Sequence, residues 1–309
     1  MPDSSEIVEA VIICTRNRPE DLASTLASLS AQANIGARLV VIVDASDGNV
    51  RSTVERIVVE SALTGVEYVV FDGKPSLARQ RNFAVGDLPS TVAIVHFFDD
   101  DVSLEAGYLD GISARFRDSS VAAAGGTITL EVETVSRQSV MKRFFLLGHP
   151  ERGRVLVSGA TTPAQVGARG PVFDSDWLSG CASSYRRDVF ENHRCDPALD
   201  GYSLDEDLDL SYRVSRSGRV VVDPSVSVTH HESAVERSTA RRMARKAMVH
   251  RYWFLEKNIT GVLRKPAFWW ATVGRLVALS VSREAHRRQV RRGVLEGIGI
   301  IWRRAHSLL

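Results

Sequence analysis

Apolar and polar positions follow two alternating periods along the first half of the chain. Short runs rich in Val and Ile predict buried strands, and the segments between them place apolar residues three or four positions apart, which is typical of helices. The predicted strands are residues 7–14, 39–44, 66–71 and 92–98, and the predicted helices include residues 22–29, 54–61 and 77–85. Such alternation predicts an α/β fold with a mostly parallel sheet covered by helices on both faces.

Each predicted strand ends in a polar segment. These segments are residues 14–19, 43–49, 72–76 and 99–102. Ligands of open parallel sheets bind beyond the carboxyl ends of the strands. We therefore expect the four segments to gather at one edge of the sheet and to form a binding site there.

The middle of the chain is less regular. Alternation over residues 127–133 predicts a strand exposed on one face, and the stretch 148–171 is rich in Gly and Pro and predicts a long loop. Residues 205–217 predict a helix that ends at Gly218, and a strand-like run from residue 223 ends at His230 and His231.

The C-terminal segments are basic and helical in pattern. Residues 234–258 predict a basic helix, and residues 266–282 form an apolar segment with Arg275 inside, shorter than the roughly 20 residues that a bilayer-spanning helix needs. Residues 283–306 are amphipathic, with one apolar stripe. The stripe consists of Val290, Val294, Ile298, Ile301 and Trp302. These helices either pack on the rest of the protein or anchor it at a membrane surface.

The charge is divided unevenly between the two parts of the chain. The 309 residues carry a net charge of +2, yet residues 234–309 hold 17 Lys and Arg against 4 Asp and Glu. This predicts a domain of residues 1–233 and a basic extension of residues 234–309 that meets an anionic partner. No nucleic-acid motif accompanies the charge, so we expect a membrane surface and no nucleic acid. Three cysteines without a Cys-x-x-Cys pair, and an N-terminus without a signal pattern, predict a cytoplasmic protein.

Two acidic clusters and one basic cluster are candidates for chemistry. The triplet 99–101 is either a solvated turn or a site for a divalent cation, whose charge would relieve the repulsion among three carboxylates. The acidic residues of 205–209 suit the first turn of a helix, and one of them could also serve as a general base. Lys74, Arg79 and Arg81 suit either phosphate or a solvated helix face.

The order of these pieces resembles the family 2 glycosyltransferases of GT-A fold. A Thr-Arg-Asn-Arg-Pro loop follows the first strand, an Asp ends the second, and an Asp-x-Asp follows the fourth. Trp-x-Ser-Gly, Glu-Asp-x-Asp-Leu-Ser-x-Arg and a late His come after them. The resemblance covers roughly residues 7–257. It implies a Rossmann-like, mostly parallel sheet that binds a nucleotide sugar.

The resemblance also implies roles for individual residues. The metal ligands for Mn²⁺ or Mg²⁺ are expected to be Asp99, Asp101 and His230, with His231 the weaker match. Asp207 is expected to be the catalytic base, with Glu206 beside it. The donor nucleotide sugar is expected to meet Thr15, Arg16, Asn17, Arg18, Asp44, Lys74, Arg81, Asp99 and Asp100. The acceptor is expected to meet Trp177, Ser179, Gly180 and Cys181.

Two departures from the family pattern sharpen the expectation. The second strand ends in Asp44-Ala45-Ser46, not in the frequent Asp-Asp-Gly-Ser, and no Gln-x-x-Arg-Trp follows the Glu-Asp helix. The second absence favours an enzyme that adds one sugar, by inversion, to a glycan or lipid-linked acceptor in cell-wall or exopolysaccharide synthesis. We expect it to lie at the inner face of the cell membrane. A sugar nucleotidyltransferase and a degenerate scaffold are the alternatives, although the loop 14–22 lacks the glycines of the former.

Overall fold

The computed structural model describes residues 9–130, 140–199, 204–231, 240–282 and 286–303. The chain divides into a first unit of Met1–Thr134 and Ala164–Glu232 and a second unit of Val135–Pro163 and Ser233–Leu309. Parts of several predicted elements lie outside the described residues. These parts are residues 1–8, 131–133, 234–239, 283–285 and 304–306.

The described part of the first unit holds one sheet of nine strands flanked by helices. The strands are β1 (Glu9–Thr15), β2 (Leu39–Asp44), β3 (Val66–Val70), β4 (Ile94–Asp99), β5 (Val102–Leu104), β6 (Val121–Leu130), β7 (Phe173–Asp174), β8 (Ala182–Arg186) and β9 (Arg219–His230). Their order is β3-β2-β1-β4-β8-β6-β9-β5, with β7 beside β9. The pairs β1·β2, β2·β3 and β1·β4 are parallel, which confirms the prediction for the first half of the chain.

Helices of the first unit cover both faces of the sheet. They are α1 (Pro19–Ser30), α2 (Gly48–Glu60), α3 (Leu77–Asp87), α4 (Tyr108–Arg115), α6 (Val189–Asn192) and α7 (Glu206–Ser215). Leu22 and Leu26 of α1 join one core layer, and Ala84 and Val85 of α3 join the other. Every residue of β2 is buried, as expected for a parallel strand with helices on both sides.

The second half of the sheet mixes strand directions. Strand β8 pairs antiparallel with both β4 and β6, while β6 and β9 are parallel. The ends of β4 and β9 and the start of β8 therefore lie at the same edge. Strand β6 begins six residues before the predicted stretch 127–133. After Val121 its first residues are Ala and Gly, which lack the branched side chains that predict a strand.

The described part of the second unit consists of helices and a loop. The helices are α5 (Val140–Phe144), α8 (Ala240–Asn258), α9 (Arg264–Val281) and α10 (Arg287–Trp302). Helix α10 packs closely on α8, since a Cβ on Gly293 would lie 2.1 Å from the Arg241 carbonyl oxygen and one on Gly297 would lie 2.7 Å from Met248. Within the residues that the structure describes, every helix is too short or too polar to cross a bilayer.

Candidate active site

Two carboxylates and one imidazole meet where β4 and β9 end. Asp99 is the last residue of β4, Asp101 lies in the turn that follows, and His230 is the last residue of β9. One side-chain ligand atom from each of the three lies within 4.8 Å of the others, and Asp101 Oδ1 is 3.1 Å from His230 Nε2. Pairing of β5 with β9 places His230 opposite Val102, beside the acidic turn.

This group fits a divalent cation by its donor atoms. Carboxylate oxygens are the ligands that Mg²⁺ and Mn²⁺ prefer, and an imidazole nitrogen can complete such a set. His231 is not part of the group, because its Nε2 lies 2.8 Å from Ser103 Oγ. The structure thus brings together the three residues expected to be metal ligands.

Asp100, the middle carboxylate of the triplet, faces the loop after β1. Thr15 Oγ1 donates a hydrogen bond of 2.6 Å to Asp100 Oδ2, and Arg18 Nη1 lies 3.1 Å from Asp100 Oδ1. The same Arg18 nitrogen lies 3.2 Å from Asp101 Oδ2. Burial raises the pKa of Asp100 to about 7, against the opposing effects of Arg18 and Thr15. The acidic turn and the first loop are therefore held together by side chains.

Arg81 of α3 connects the acidic turn with α7. Its guanidinium donates to Asp99 Oδ1 at 3.0 Å and to the Gly180 carbonyl oxygen at 2.7 Å, and it forms an ion pair with Glu206. The side chain is only 2% exposed and lies over the ring of Phe97. Burial opposes the charge of Arg81, but Glu206 and Asp99 outweigh it and raise the pKa.

The two acidic residues that begin α7 differ in environment. Glu206 is buried against Arg81, and burial raises its pKa to about 7 despite the nearby guanidinium. Asp207 is partly exposed, and its carboxylate accepts hydrogen bonds of 2.8 Å from the backbone N–H groups of Gly180 and Leu208. Burial also raises the pKa of Asp207, against these two donors. Asp207 is thus oriented by the backbone while remaining reachable.

Gly180 occupies the junction between Arg81 and Asp207. Its N–H donates to Asp207 and its carbonyl oxygen accepts from Arg81. A Cβ at this position would lie 2.9 Å from Arg81 Nη1 and 3.0 Å from Asp207 Cβ. The site has no room for a larger residue here.

Gln165 supports the segment that leads into β8. Its Oε1 accepts a hydrogen bond of 2.6 Å from the backbone N–H of Ser179, and its Nε2 donates one of 2.8 Å to the Ala182 carbonyl oxygen. Cys181, between Gly180 and Ala182, is buried, and its carbonyl oxygen accepts a hydrogen bond of 3.1 Å from the N–H of Asp99. The segment expected to meet the acceptor therefore lies directly beside the acidic turn, and Trp177 at its start is half-buried.

At the end of β2, the side chains form hydrogen bonds with one another and with the backbone. Asp44 is fully buried, and its two oxygens accept hydrogen bonds of 2.7 Å from the Ser46 N–H and the Tyr68 hydroxyl. Asn17 has a left-handed backbone with φ of 57°. Its side-chain amide donates to the Asp47 carboxylate and accepts from the Asp47 backbone N–H. The remaining residues expected at the donor, Arg16 and Lys74, are exposed.

Some site residues were not predicted. Gln165 lies in the Gly-rich and Pro-rich stretch and carries no local signal, and Tyr68 lies inside a predicted strand. Thr25 is a helix residue whose hydroxyl accepts from the Val102 N–H and donates to the Asp100 carbonyl oxygen. Only the folded structure shows that these three side chains support the site.

The sheet order and the group at its carboxyl edge define the class of fold, which is the GT-A type of α/β transferase. The chain belongs to glycosyltransferase family 2, since a sequence profile described as "Glycosyltransferase like family 2" matches residues 9–249. Comparison with curated proteins yields no match.

Solved structures share this fold at low sequence identity. GalNAc-T7, solved with UDP, GalNAc and Mn²⁺, is 13% identical with a TM-score of 0.66, and the match covers 96% of this chain and 55% of that one. TarS 1–349 of S. aureus is 13% identical with a TM-score of 0.57, over 98% of this chain and 83% of that one. The mannosyltransferase PcManGT from Pyrobaculum calidifontis, solved with GDP-Man and Mn²⁺, is 16% identical with a TM-score of 0.57, over 100% and 89%.

Proposed function

We propose that the chain is an inverting, metal-dependent glycosyltransferase that moves one sugar from a nucleotide diphosphate sugar to a hydroxyl group. The acceptor is a glycan or a lipid-linked acceptor of cell-wall or exopolysaccharide synthesis. The observation that carries the proposal is the link between two groups at one sheet edge. The Asp99–Asp101–His230 group and Asp207 are joined through Arg81 and Gly180.

The donor is proposed to lie over the carboxyl ends of β1, β2 and β4. Thr15, Arg18 and Asp44 lie at this edge, and the Mn²⁺ complexes of GalNAc-T7 and PcManGT support a donor with a diphosphate. Asp99, Asp101 and His230 would hold Mn²⁺ or Mg²⁺ there. A divalent cation so held supplies positive charge to the leaving diphosphate.

Asp207 is proposed to be the general base. Its partial exposure leaves the carboxylate reachable for an acceptor hydroxyl near Trp177, Ser179, Gly180 and Cys181. The N–H groups of Gly180 and Leu208 fix its direction, and a pKa raised by burial makes it a stronger base. The hydroxyl oxygen, losing its proton to Asp207, would attack the anomeric carbon from the face opposite the diphosphate, whose bond to that carbon breaks, so that the configuration is inverted. Glu206 is proposed to position Arg81 and not to touch the substrates.

The place of action is proposed to be the cytoplasmic face of the membrane, where a lipid-linked acceptor would be presented. The excess of basic residues in residues 234–309 supports this location, since anionic lipid attracts such segments.

The test of the function uses Asp207→Asn with Asp205→Asn as its matched control. A thermal-shift screen of nucleotide sugars with and without Mn²⁺ first identifies the donor, because a ligand of the folded state raises the melting temperature. Asp207→Asn is then expected to keep the Mn²⁺-dependent shift and to lose transfer by about a hundredfold or more. Asp205→Asn removes the same charge two residues away and suits the left-handed backbone there, so transfer should persist.

Two results would contradict the proposal. One is near-normal turnover by Asp207→Asn with intact donor binding, which would remove Asp207 as the base. The other is a product that keeps the anomeric configuration of the donor in an NMR assay, which would exclude inversion.

A further inference from the structure

An exposed apolar stripe runs along helix α9. Trp270, Val273, Val277 and Val281 are spaced at i, i+3, i+7 and i+11, so that they share one helix face. All four are exposed, from 41% at Trp270 to 77% at Val281. At 1.5 Å per residue the four residues, named the α9 stripe below, span about 16 Å. On the opposite face of the helix, Phe268 and Thr272 are buried.

Helix α5 extends the α9 stripe with ordered aromatic residues. Phe144 is 61% exposed, and its ring centroid lies 5.3 Å from that of Trp270. The Trp270 indole N–H donates a hydrogen bond of 2.8 Å to the Phe144 carbonyl oxygen, and Phe145 fills the space where Gly274 has no side chain. The exposed rings are therefore held in place and present a defined surface.

The apolar stripe that the sequence shows on α10 is a different feature. Val294 and Ile301 are buried, and Gly293 and Gly297 bring α10 against α8. Two members of that stripe therefore pack into the second unit. Trp302 alone of its members is exposed, at 75%, and its ring centroid lies 6.1 Å from that of Trp269 on α9.

The surroundings of the α9 stripe are strongly basic. The described residues of the second unit include 18 Lys and Arg against 3 Asp and Glu. Each of the three carboxylates already has a cationic partner. The pairs are Glu151 with Arg154, Glu256 with Lys265, and Glu296 with Arg241. Lys142 and Arg143 lie in α5 beside Phe144, and Arg287 contacts the Ser282 carbonyl oxygen at the other end of the stripe.

We propose that the α9 stripe and Phe144 form a docking surface for an anionic lipid bilayer. A bilayer surface offers negative headgroups for the cations and an apolar layer for the valines and rings, and Trp favours the boundary between them. A second copy of this chain would bring two strongly positive units together, which repulsion opposes. Nucleic acid would match the cations but would leave the valine stripe without a partner.

The test places a reporter on the surface of the full chain. The native cysteines Cys14, Cys181 and Cys195 are all buried, so an added surface cysteine can be labelled selectively. Val277→Cys and Gln289→Cys, an exposed position on α10, each receive an environment-sensitive fluorophore. Vesicles of phosphatidylcholine with phosphatidylglycerol are expected to shift the emission of the label at 277 to the blue and to leave the label at 289 nearly unchanged. Phosphatidylcholine vesicles alone are expected to bind less.

A second pair of variants measures the contribution of the stripe to binding. Val277→Asp and Gln289→Asp add the same charge at two exposed positions. Val277→Asp is expected to weaken flotation with the anionic vesicles by at least about tenfold, because it also puts a carboxylate into the apolar layer. Gln289→Asp is expected to change it less than threefold, by charge alone.

Three outcomes would overturn the inference. Binding without an emission shift at 277 would mean electrostatic adsorption only. Sedimentation of the protein as a dimer, and of Val277→Asp as a monomer, would make the α9 stripe a contact between two copies of the chain. Retention by an acidic protein with no vesicle binding would identify a protein partner. The inference rests on the proposed place of action and does not require transfer activity. Donor binding by the first unit can be measured in every variant, so failure here would count against the membrane location and leave the proposed transfer reaction untouched.

Discussion

Arg81 offers the sharpest test of how the site is held together. Its side chain is almost fully buried and serves three acceptors, which are Asp99, Glu206 and the Gly180 carbonyl oxygen. Arg81→Met keeps an unbranched stem but removes every donor at once. The change leaves Glu206 buried without its cation.

The expected cost follows from the geometry. Removing one partner of a buried ion pair typically costs 3–5 kcal/mol, because the remaining group loses its counterion and must either stay charged without water or take up a proton. The Gly180 carbonyl oxygen adds about 1 kcal/mol when its hydrogen bond is lost. We therefore expect Arg81→Met to lower the free energy of unfolding by about 4–6 kcal/mol, which is a large part of the stability of an ordinary domain. Arg81→Lys should cost less, because an ammonium keeps the charge but lacks the planar fork.

The assay is a double-mutant cycle measured by urea unfolding at neutral pH. Glu206→Leu made alone should also destabilise the protein, since it removes one of the carboxylates that neutralise the buried Arg81. Arg81→Met combined with Glu206→Leu should be less destabilised than the sum of the single variants by about 2 kcal/mol or more, because the pair is replaced by apolar groups. Additive single effects, or a cost of Arg81→Met below about 1 kcal/mol, would refute the reasoning. If Arg81→Met alone does not fold, recovery of folding in the double variant carries the same information.

Three further predictions concern other parts of the first unit. Gly180→Ala should lower the free energy of unfolding by about 1–3 kcal/mol in thermal melts and reduce transfer by more than tenfold. Its control is Gly86→Ala on α3, where no atom lies within 4 Å of the added Cβ, and this change should raise stability by up to about 1 kcal/mol. Asp101→Asn should abolish the rise in melting temperature that Mn²⁺ produces, and an unchanged rise would exclude Asp101 as a ligand. Glu9 has a pKa lowered to about 2, because His96 and Arg38 outweigh the burial that raises it. The Glu9 carboxylate should therefore stabilise the fold by up to about 3 kcal/mol above pH 4.5, and this contribution should be lost as the pH falls toward 2. Urea unfolding at a series of pH values should show the difference in stability between wild type and Glu9→Gln shrinking between pH 4.5 and pH 2.

Much of the sheet could be predicted because its strands carry continuous local signals. Strands β1, β2 and β4 are runs of apolar residues that end in polar ones, and the parallel order follows from the helices between them. The start of β6 could not be predicted, since Ala and Gly have low strand propensity and form a strand there only because neighbouring side chains pack against it. Gly126 shows the reason, because a Cβ there would lie 2.5 Å from Tyr108. The antiparallel insertion of β8 depends on long-range pairing that no local pattern records.

The site was predictable where its residues end strands or match a motif. Asp99, Asp101 and His230 fall at strand ends, so their grouping follows from topology, and their role as metal ligands stays a prediction. The links among the parts were not predictable, because Arg81 and Glu206 lie 125 positions apart in sequence. A basic residue at the start of a helix suggests phosphate, whereas burial beside two carboxylates gives Arg81 a structural task as well. That task depends on tertiary contacts, which appear only on folding.

Thr15 and Arg18 donate hydrogen bonds to Asp100, so the loop after β1 and the acidic turn after β4 are held together. Arg18 also bridges to Asp101, so whatever shifts one segment must shift the other or break a buried contact. If a ligand at the loop changes the affinity of a second ligand at the turn, the second changes the affinity of the first by the same factor. A nucleoside bound at the loop would accordingly sense a cation at the turn even without a phosphate between them. Such coupling would be reciprocal, and Thr15 and Arg18 are the side chains that would carry it.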